Sequence, residues 1–411
     1  MDAPEARLLG GYVRLFFCWL ELVQAPRTML RGFWVVFLLS CIALPGVLPD
    51  QQITSDGDIV ECVDKFRQPA FENPLLKYHK LQDVPSEIPK MIGTQKGKRQ
   101  TQEAYVSTTK CPDGAIPILL SGHAKNRTQP ETKDYHSGHE YAIVSYEDNT
   151  KLYGTKAVLN VWDPAIEEGA AEMSLAQIWI ASGDYETADL NTIEVGWQVL
   201  PQMYNDIRPR LFLFWTGNTY RSGCYNVRCS GFIQTSGSIV VGGPIAPVSS
   251  LGGIQTELTV FVWKDRKSGN WWLSLGVSIV GYWPAELFTT LADHAAYVQW
   301  GGEILNKQPL GRHTTTQMGS GHFPDEGFGR SGYFRNLEYV DYNNRLESVP
   351  VQKLGIIVTN PDCYKVKHLF SDDWKTQFYY GGPGFTHSGA TLALASRSLF
   401  FVVVVLLFLI V

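Results

Sequence analysis

The chain has no surplus of basic residues. Its 411 residues include 35 Lys and Arg against 40 Asp and Glu, which gives a formal net charge of −5 at pH 7. A protein that holds nucleic acid needs a basic surface against the phosphates, so the composition argues against nucleic acid as a partner. Only 18% of the residues are charged and 45% are hydrophobic, so the chain is able to bury a large core.

Several common chemical motifs are also missing. The chain has no G-x-S-x-G sequence of a serine hydrolase, no phosphate-binding glycine loop and no dinucleotide fingerprint. Its cysteines and histidines do not fall at zinc-ligand spacing, so we expect neither a metal nor another cofactor.

Both ends of the chain carry apolar runs. The first, residues 32–48, follows basic residues as a signal peptide does, and Met29 would give this signal a short beginning. We assign residues 1–49 to targeting, with a membrane anchor as the other interpretation. The tail, residues 386–411, has the order of a lipid-anchor signal. A short tail anchor or a gene-model artefact explains it about as well, because its apolar run is short for a bilayer.

Cysteines outside the targeting segment predict disulfides. In an oxidising compartment such thiols are expected to pair. Cys224 and Cys229 are close enough to close a small loop, and Cys62 and Cys111 can bridge an N-terminal domain. Cys363 is then left over.

The chain divides into three parts between its apolar ends. Residues 50–120 place short apolar anchors between polar residues, as in a small domain that packs on a larger one. Residues 121–138 are polar, contain the glycosylation sequon at Asn126 and indicate an exposed linker. From residue 139 to residue 385, aromatic and β-branched runs alternate with glycine-rich turns, which predicts strands.

The strand-like part predicts a mainly β fold. Residues 210–216 and 257–264 are apolar on both faces, as in strands of two packed sheets. One helix is predicted over residues 284–298, where Pro284 suits an early helical position and apolar residues recur on one side. We therefore predict an antiparallel β-sandwich with a small N-terminal domain.

Two glutamates stand in apolar surroundings. Glu194 lies among Ile, Val, Gly and Trp, and Glu303 follows Trp-Gly-Gly. Such a carboxylate is costly to bury unless it has a partner or keeps its proton. Two of them in one cleft can share a proton and act as acid and base, in an acid peptidase or a glycosidase. Without further information, an arginine partner or a turn cap for each glutamate is the more common explanation.

A polar loop and the tryptophans are further candidates. Residues 313–327 hold two histidines and two acids that could line a substrate groove. The spacing of His313 and His322 fits no common metal motif, so hydrogen-bonded loop groups are favoured. The tryptophans fit a groove for sugars or prolines or, more commonly, a core.

Specific stretches of the sequence resemble the neprosin family of plant proteins. In the N-terminal part the resemblance rests on Asp58–Cys62, Gln68–Phe71 and Cys111–Gly114. In the strand region it rests on residues 174–179, 191–198, 222–229, 281–284, 300–303, 313–324 and 378–384.

The resemblance implies a glutamic peptidase zymogen that is secreted to the apoplast or cell wall and cleaves next to proline at acidic pH, without a metal. It places the family's catalytic glutamates at Glu194 and Glu303. Residues 50–120 would be an activation peptide that covers the cleft and inhibits the enzyme, and residues 139–385 the catalytic domain. The substrate would be a proline-rich peptide or protein. The side chains that we predict to contact it are Gln177, Trp179, Trp197, Gln198, Trp300 and Gln317.

Three positions depart from the family pattern. Val195 replaces an alanine, and its extra methyl groups are expected to narrow the cleft. Asn205 replaces a glycine, and the cysteine that would pair with Cys363 is missing. These departures keep a second hypothesis open, a non-catalytic β-sandwich that binds cell-wall carbohydrate or proline-rich protein. A glycosidase is the third.

Overall fold

The structure, a computed structural model, describes residues 50–91, 101–120, 137–169, 171–308 and 312–385. The predicted targeting segment, the sequon at Asn126, most of the linker and the apolar tail lie outside the described residues and stay predictions. Within the described ranges, no helix has the length and apolar character that crossing a bilayer requires.

A seven-stranded antiparallel sheet carries both Glu194 and Glu303. In spatial order its strands are β12 (Ser222–Tyr225), β11 (Arg210–Gly217), β10 (Asn191–Val199), β9 (Met173–Ser182), β18 (Ala295–Leu305), β7 (His139–Leu152) and β21 (Gly355–Val358).

A second, eleven-stranded sheet lies against the first. Its main path is β13 (Ile233–Gln234), β17 (Ser278–Trp283), β16 (Trp271–Leu275), β15 (Gln255–Lys264), β8 (Gly154–Asn160), β19 (Gly332–Val340), β20 (Arg345–Ser348) and β3 (Lys90–Met91). Three more strands join it at the side: β4 (Thr101–Glu103), β22 (Lys365–Ser371) and β23 (Lys375–Gly381).

One hydrophobic core lies between the two sheets. Ile178 and Val195 of the seven-stranded sheet belong to the same buried cluster as Val260 and Trp272 of the eleven-stranded sheet. The indole of Trp197 donates a hydrogen bond to the carbonyl oxygen of Asn160 in the opposite sheet, at 3.0 Å. The predicted β-sandwich is confirmed, and the two predicted strands are β11 and β15.

The N-terminal segment, residues 50–120, is built from short elements. β1 (Asp50–Ile53), β2 (Ile59–Asp64) and β6 (Ala115–Leu119) form a small sheet, and β5 (Tyr105–Val106) pairs with β14 (Ile245–Ala246). Two 3-10 helices, Pro69–Glu72 and Pro74–Leu76, connect them. Both expected disulfides, Cys62–Cys111 and Cys224–Cys229, are formed, and Cys363 is a buried free thiol.

This segment covers part of the outer face of the eleven-stranded sheet. The Trp263 indole donates to the carbonyl oxygen of Glu87 at 3.0 Å. The Gln68 side chain forms two hydrogen bonds with the backbone of Gln234, at 2.8 and 3.1 Å. β15 is therefore apolar on both faces because the core covers one of them and the N-terminal segment reaches the other.

The helix predicted over residues 284–298 is wrong. A single 3-10 turn, Ala285–Leu287, is followed by an irregular stretch, and β18 begins at Ala295. The side-chain oxygen of Asn191 accepts hydrogen bonds from the backbone N–H groups of Thr289, Thr290 and Leu291, at 2.8 to 3.3 Å. A side chain that binds successive backbone groups competes with helical hydrogen bonds. The apolar residues taken for a helix face are still buried, as Leu291 shows.

Within the residues that the structure describes, the remaining helices are equally short. They are α1 (Pro201–Tyr204) and the 3-10 turns Pro324–Glu326 and Val351–Lys353.

A buried charge cluster fastens the N-terminal segment to β11. The Arg210 guanidinium, which is 1% exposed, donates to both oxygens of Asp58 at 2.7 and 3.1 Å. It also donates to Asp206 and to the carbonyl oxygen of Gly242. Burial alone would raise the pKa of Asp206, but hydrogen bonds from Arg210 and Arg208 outweigh it and lower the pKa. Each charged group in this cluster thus needs its oppositely charged partners in order to stay ionised while buried.

We expect Asp58→Asn to lower the free energy of unfolding by about 3 kcal/mol, because breaking a buried ion pair leaves the remaining charge short of a partner. Chemical denaturation at neutral pH measures this. The matched control is Asp83→Asn, which removes the more exposed Lys65–Asp83 pair of the same segment and should cost less than about 1 kcal/mol. Equal losses for both variants would contradict the assigned role of Asp58.

Candidate active site

Glu194 and Glu303 lie on the same face of the seven-stranded sheet. β9 runs between their strands, with Glu194 opposite Trp179 and Glu303 opposite Leu175. Paired residues in a sheet point to the same side. Both carboxyl groups therefore leave the face turned away from the core, where they line one cleft of about 250 Å³.

Gln177 lies between the two glutamates. It occupies the position on β9 midway between Leu175 and Trp179, its Nε2 donates to Glu303 at 3.1 Å, and its side chain also hydrogen-bonds Glu194. Its neighbours in the ladder are Gly196 and Gly301. A Cβ at either glycine would collide with a backbone carbonyl of the adjacent strand. Glycine thus permits the close strand approach that surrounds Gln177.

The carboxyl group of Glu194 is held in a mostly apolar place. Glu194 is 6% exposed, and its Oε1 accepts hydrogen bonds from the Thr192 hydroxyl at 2.8 Å and from the Tyr220 hydroxyl at 3.2 Å. Burial raises the pKa of Glu194 to about 8, and the charge of Glu303 adds to this rise, against the opposing effect of the hydrogen bonds. Glu194 therefore carries a proton at neutral and acidic pH.

Glu303 has a different set of neighbours. Its Oε1 contacts the Nδ1 of His139, and its Oε2 accepts from Gln177. His139 reaches this place because it opens β7 and pairs with Leu305 two residues beyond Glu303. The two carboxyl groups thus differ: Glu194 accepts from the hydroxyl groups of Thr192 and Tyr220, whereas Glu303 is in contact with the imidazole of His139.

Sequence reasoning missed three residues of this site. Thr192 could have been found, since it lies two residues before Glu194 and shares its face on any strand. His139 and Tyr220 could not, because their places depend on the pairing of β7 with β18 and on the loop after β11.

The walls of the cleft are aromatic and aliphatic. They consist of Tyr141, Met173, Leu175, Trp179, Tyr185, Leu200, Met203, Phe214, Tyr220, Tyr225 and Leu305. Tyr141 packs edge to face on Trp179 with ring centroids 6.4 Å apart. Of the predicted substrate contacts, Gln177 and Trp179 are in the cleft, and their role stays a prediction.

Four other predicted contacts lie elsewhere, which corrects the prediction. Trp197 and Trp300 are fully buried in the core, because they alternate in orientation with Glu194 and Glu303 along their strands. Gln198 is buried and donates to the Tyr204 hydroxyl at 3.4 Å. Gln317 exchanges hydrogen bonds with the backbone of Ala165, at 2.9 and 3.1 Å.

The polar loop that contains Gln317 serves structure in the same way. His313 contacts Glu140 at 2.7 Å and the carbonyl oxygen of Thr314 at 2.8 Å. In the part of the chain that the structure describes, no group of three or more His, Cys, Asp or Glu side chains is arranged to hold a metal ion.

Two departures from the family pattern now have explanations. Val195 points into the core and is 1% exposed, so the expected narrowing of the cleft is wrong. Asn205 ends α1 with a φ of 60°. This left-handed conformation favours glycine, and asparagine is the usual substitute.

The described part of the N-terminal segment does not line the cleft. All cleft residues lie between His139 and Leu305. Val60 and Leu119 form a small apolar cluster against which Leu200 and Met203 of the cleft wall pack. The expectation that residues 50–120 cover the cleft is thus corrected: where described, they support one end of its wall.

Comparison with known families agrees with this architecture. The neprosin pattern matches residues 170–383, and the neprosin activation peptide pattern matches residues 52–145. The chain belongs to the neprosin family. The activation peptide match thus covers the N-terminal segment from residue 52 and extends into the start of β7.

Solved structures add distant similarities. One is scytalido-glutamic peptidase with a peptide-based transition-state analogue, with a TM-score of 0.33, 11% identity, and coverage of 60% of this neprosin and 98% of that chain. Another is SCP-B, a member of the eqolisin family of peptidases in a complex with the tripeptide Ala-Ile-His, with a TM-score of 0.32, 11% identity, and coverage of 59% and 98%. CG-16, a homodimeric agglutinin from chicken liver, has a TM-score of 0.22, 8% identity, and coverage of 40% and 92%. Similarities this distant do not bear on activity.

We expect Glu303→Gln to lower the pKa of Glu194 from about 8, because it removes a neighbouring negative charge while burial remains. Infrared or carbon-13 NMR titration of the carboxyl groups measures this. Glu338→Gln is the matched control, since Glu338 is a strand glutamate in the other sheet whose pKa burial also raises. An unchanged Glu194 titration in Glu303→Gln would show that the two groups are not coupled.

Proposed function

We propose that this neprosin is a glutamic endopeptidase, made as a zymogen, that cleaves peptide bonds next to proline. The observation that carries the proposal is the pair Glu194 and Glu303, which line one cleft and share Gln177. One of the two is protonated by its surroundings, and such a pair supplies an acid and a base together.

The two glutamates take different roles in this mechanism. Glu303 accepts a proton from a water molecule as the water oxygen attacks the scissile carbonyl carbon. Glu194 donates its proton to the leaving nitrogen, and the carbon–nitrogen bond breaks. The proton gained by Glu303 then returns to Glu194, so the pair ends with the one proton that it had at the start.

Gln177 organises the pair. Its amide group donates to Glu303 and hydrogen-bonds Glu194. Its Oε1 is buried and has no hydrogen-bond partner among the described residues. A buried acceptor of this kind is costly unless something donates to it, which suits a contact with the attacking water or with a substrate N–H.

The aromatic walls support the preference for proline. Tyr141 and Trp179 present rings beside the carboxyl pair. Proline-rich segments dock on aromatic grooves because their rings are apolar and their extended backbone loses little entropy. Proline also leaves fewer backbone N–H groups to satisfy inside an apolar cleft.

Acidic pH is proposed to act mainly on the N-terminal segment. Burial favours a higher pKa for Asp265 and Glu286, but hydrogen bonds that include those from Ser86 and Gln82 to Asp265, and from His79 to Glu286, lower both. A carboxylate with a lowered pKa stabilises the folded contact above its ordinary pKa, and this contribution is lost as pH falls through the folded value. Acid therefore loosens the segment, whereas the raised pKa of Glu194 keeps the one-proton pair available up to neutrality.

The cellular context is part of the proposal. Disulfides persist in oxidising compartments, so Cys62–Cys111 and Cys224–Cys229 support secretion to the apoplast or cell wall. Residues 50–120 would be the inhibitory segment, residues 121–138 the linker cut on maturation and residues 139–385 the catalytic domain. Attachment to a membrane through the tail is the alternative to free secretion.

We expect Glu194→Gln and Glu303→Gln each to lower kcat/KM for peptide hydrolysis by at least about 100-fold, the usual contribution of an acid or base. Acid-treated protein and proline-containing peptides are assayed by mass spectrometry, with Glu338→Gln as the control that retains activity. Unchanged turnover in both variants would contradict the mechanism. Tight binding of an intact ligand would favour the binding protein, and cleavage of an oligosaccharide would favour the glycosidase.

We expect moving proline away from the scissile bond to slow cleavage by about 10-fold or more, the discrimination that an apolar pocket can achieve. A peptide series with proline stepped through each position measures this. Trp179→Ala should reduce the preference, and Tyr342→Ala, which removes an exposed tyrosine, should not. Equal rates across the series would refute the preference for proline while leaving peptidase activity intact.

A further inference from the structure

His139 is the basic side chain in an otherwise acidic and apolar cleft. Its Nδ1 contacts the Oε1 of Glu303, with side-chain exposures of 17% for the histidine and 7% for the glutamate. The titratable groups that line the cleft with it are two glutamates and four tyrosines. Among the described cleft residues there is no Lys or Arg, so the imidazole is the group beside the pair that is able to carry a positive charge.

The backbone around His139 is firmly placed. His139 pairs with Leu305 in the ladder between β7 and β18. The preceding Gly138 accepts a hydrogen bond from the backbone N–H of Asn306 at 2.7 Å. The imidazole is also stacked on the Tyr141 ring with centroids 6.4 Å apart. His139 is therefore held in place by these contacts although it is the first residue of its strand.

We propose that His139 is a positioning residue for Glu303, and that its positive charge sets the acid limit of activity. The inference rests on the proposed peptidase function. The hydrogen bond fixes Oε1, so that Oε2 is left to Gln177 and to the reacting water. A positive charge beside a carboxyl group favours its ionised form.

The charge balance explains why such a residue is needed. The base of the pair must be a carboxylate, and a neighbouring positive charge favours the ionised form of a carboxyl group. Tyr141 and Tyr220, which also face the cleft, bring no charge, because burial raises the pKa of both and keeps their hydroxyls neutral. Among the described residues that line the cleft, the imidazole of His139 is therefore the group beside Glu303 that is able to bring a positive charge.

The place of His139 in the sequence sets a condition on maturation. A cut within residues 121–137 leaves Gly138 and His139 attached to β7, whereas a cut after His139 removes the residue from the cleft. The enzyme used for testing must therefore be the processed protein with an amino terminus at or before Gly138, as determined by amino-terminal sequencing.

The test compares two substitutions. His139→Gln keeps a hydrogen-bond donor without the charge, and His139→Phe keeps the ring volume without either. We expect the acid limb of kcat/KM to move to higher pH by about one unit in both, the lower end of the effect of a neighbouring charge. We expect kcat on the plateau to fall about 10-fold in His139→Phe only, with little change in KM.

A second histidine serves as the control, and two results would contradict the proposal. His313→Gln alters a histidine–glutamate contact next to this one, with Glu140, and should leave the acid limb in place. An unmoved acid limb in both His139 variants would overturn the proposal. Equal losses of kcat in both, together with a lower unfolding temperature and no shift, would assign His139 a purely structural role.

A spectroscopic measurement separates this proposal from the proposed function. The Nδ1 proton of His139 should resonate at low field in nitrogen-15-labelled protein and move upfield in Glu303→Gln. If that shift occurs but no peptide is hydrolysed, the peptidase function fails and the pairing stands. If peptides are hydrolysed and neither the resonance nor the acid limb responds, the role of His139 fails alone.

Discussion

The burial of two carboxyl groups in one apolar cleft is the constraint on which the site depends. Two ionised glutamates at this depth would repel each other without solvent to screen them, so one holds a proton. Glu194 takes it, because its burial and the nearby Glu303 raise its pKa more than its hydrogen bonds lower it. Glu303 is placed beside an imidazole and an amide instead. The chemical asymmetry of the pair thus arises from different neighbours acting on identical side chains.

The same physical argument applies to the N-terminal segment. It is fastened by the ion pair between its Asp58 and the buried Arg210, and by Asp265, which accepts hydrogen bonds from the segment's Gln82 side chain and Ser86 backbone. These hydrogen bonds outweigh burial and lower the pKa of Asp265, which is therefore stabilising while ionised and loses that contribution on protonation. The carboxyl groups of the cleft and those of the interface therefore respond differently to acid. The cleft pair retains one proton, whereas an interface carboxylate loses its contacts when it gains a proton.

Much of the fold could be read from local patterns. Alternation and aromatic content in β11 and β15 predicted strands with two apolar faces, and cysteine spacing predicted both disulfides. The helix over residues 284–298 failed because the side chain of Asn191, distant in sequence, occupies the backbone N–H groups that a helix needs. Trp197 and Trp300 were misplaced because a tryptophan in a strand is equally compatible with a groove and a core until the face of the sheet is known.

Local composition shows that Glu194 and Glu303 are out of place among apolar residues, and the motifs around them identify the family. Strand pairing brings them into one cleft, since the ladder β10–β9–β18 joins segments far apart in the chain. It also decided that Val195 faces the core and that His139 reaches Glu303. The physical reason is that alternation along one strand fixes which residues share a face, whereas only pairing between strands fixes which faces and which residues meet.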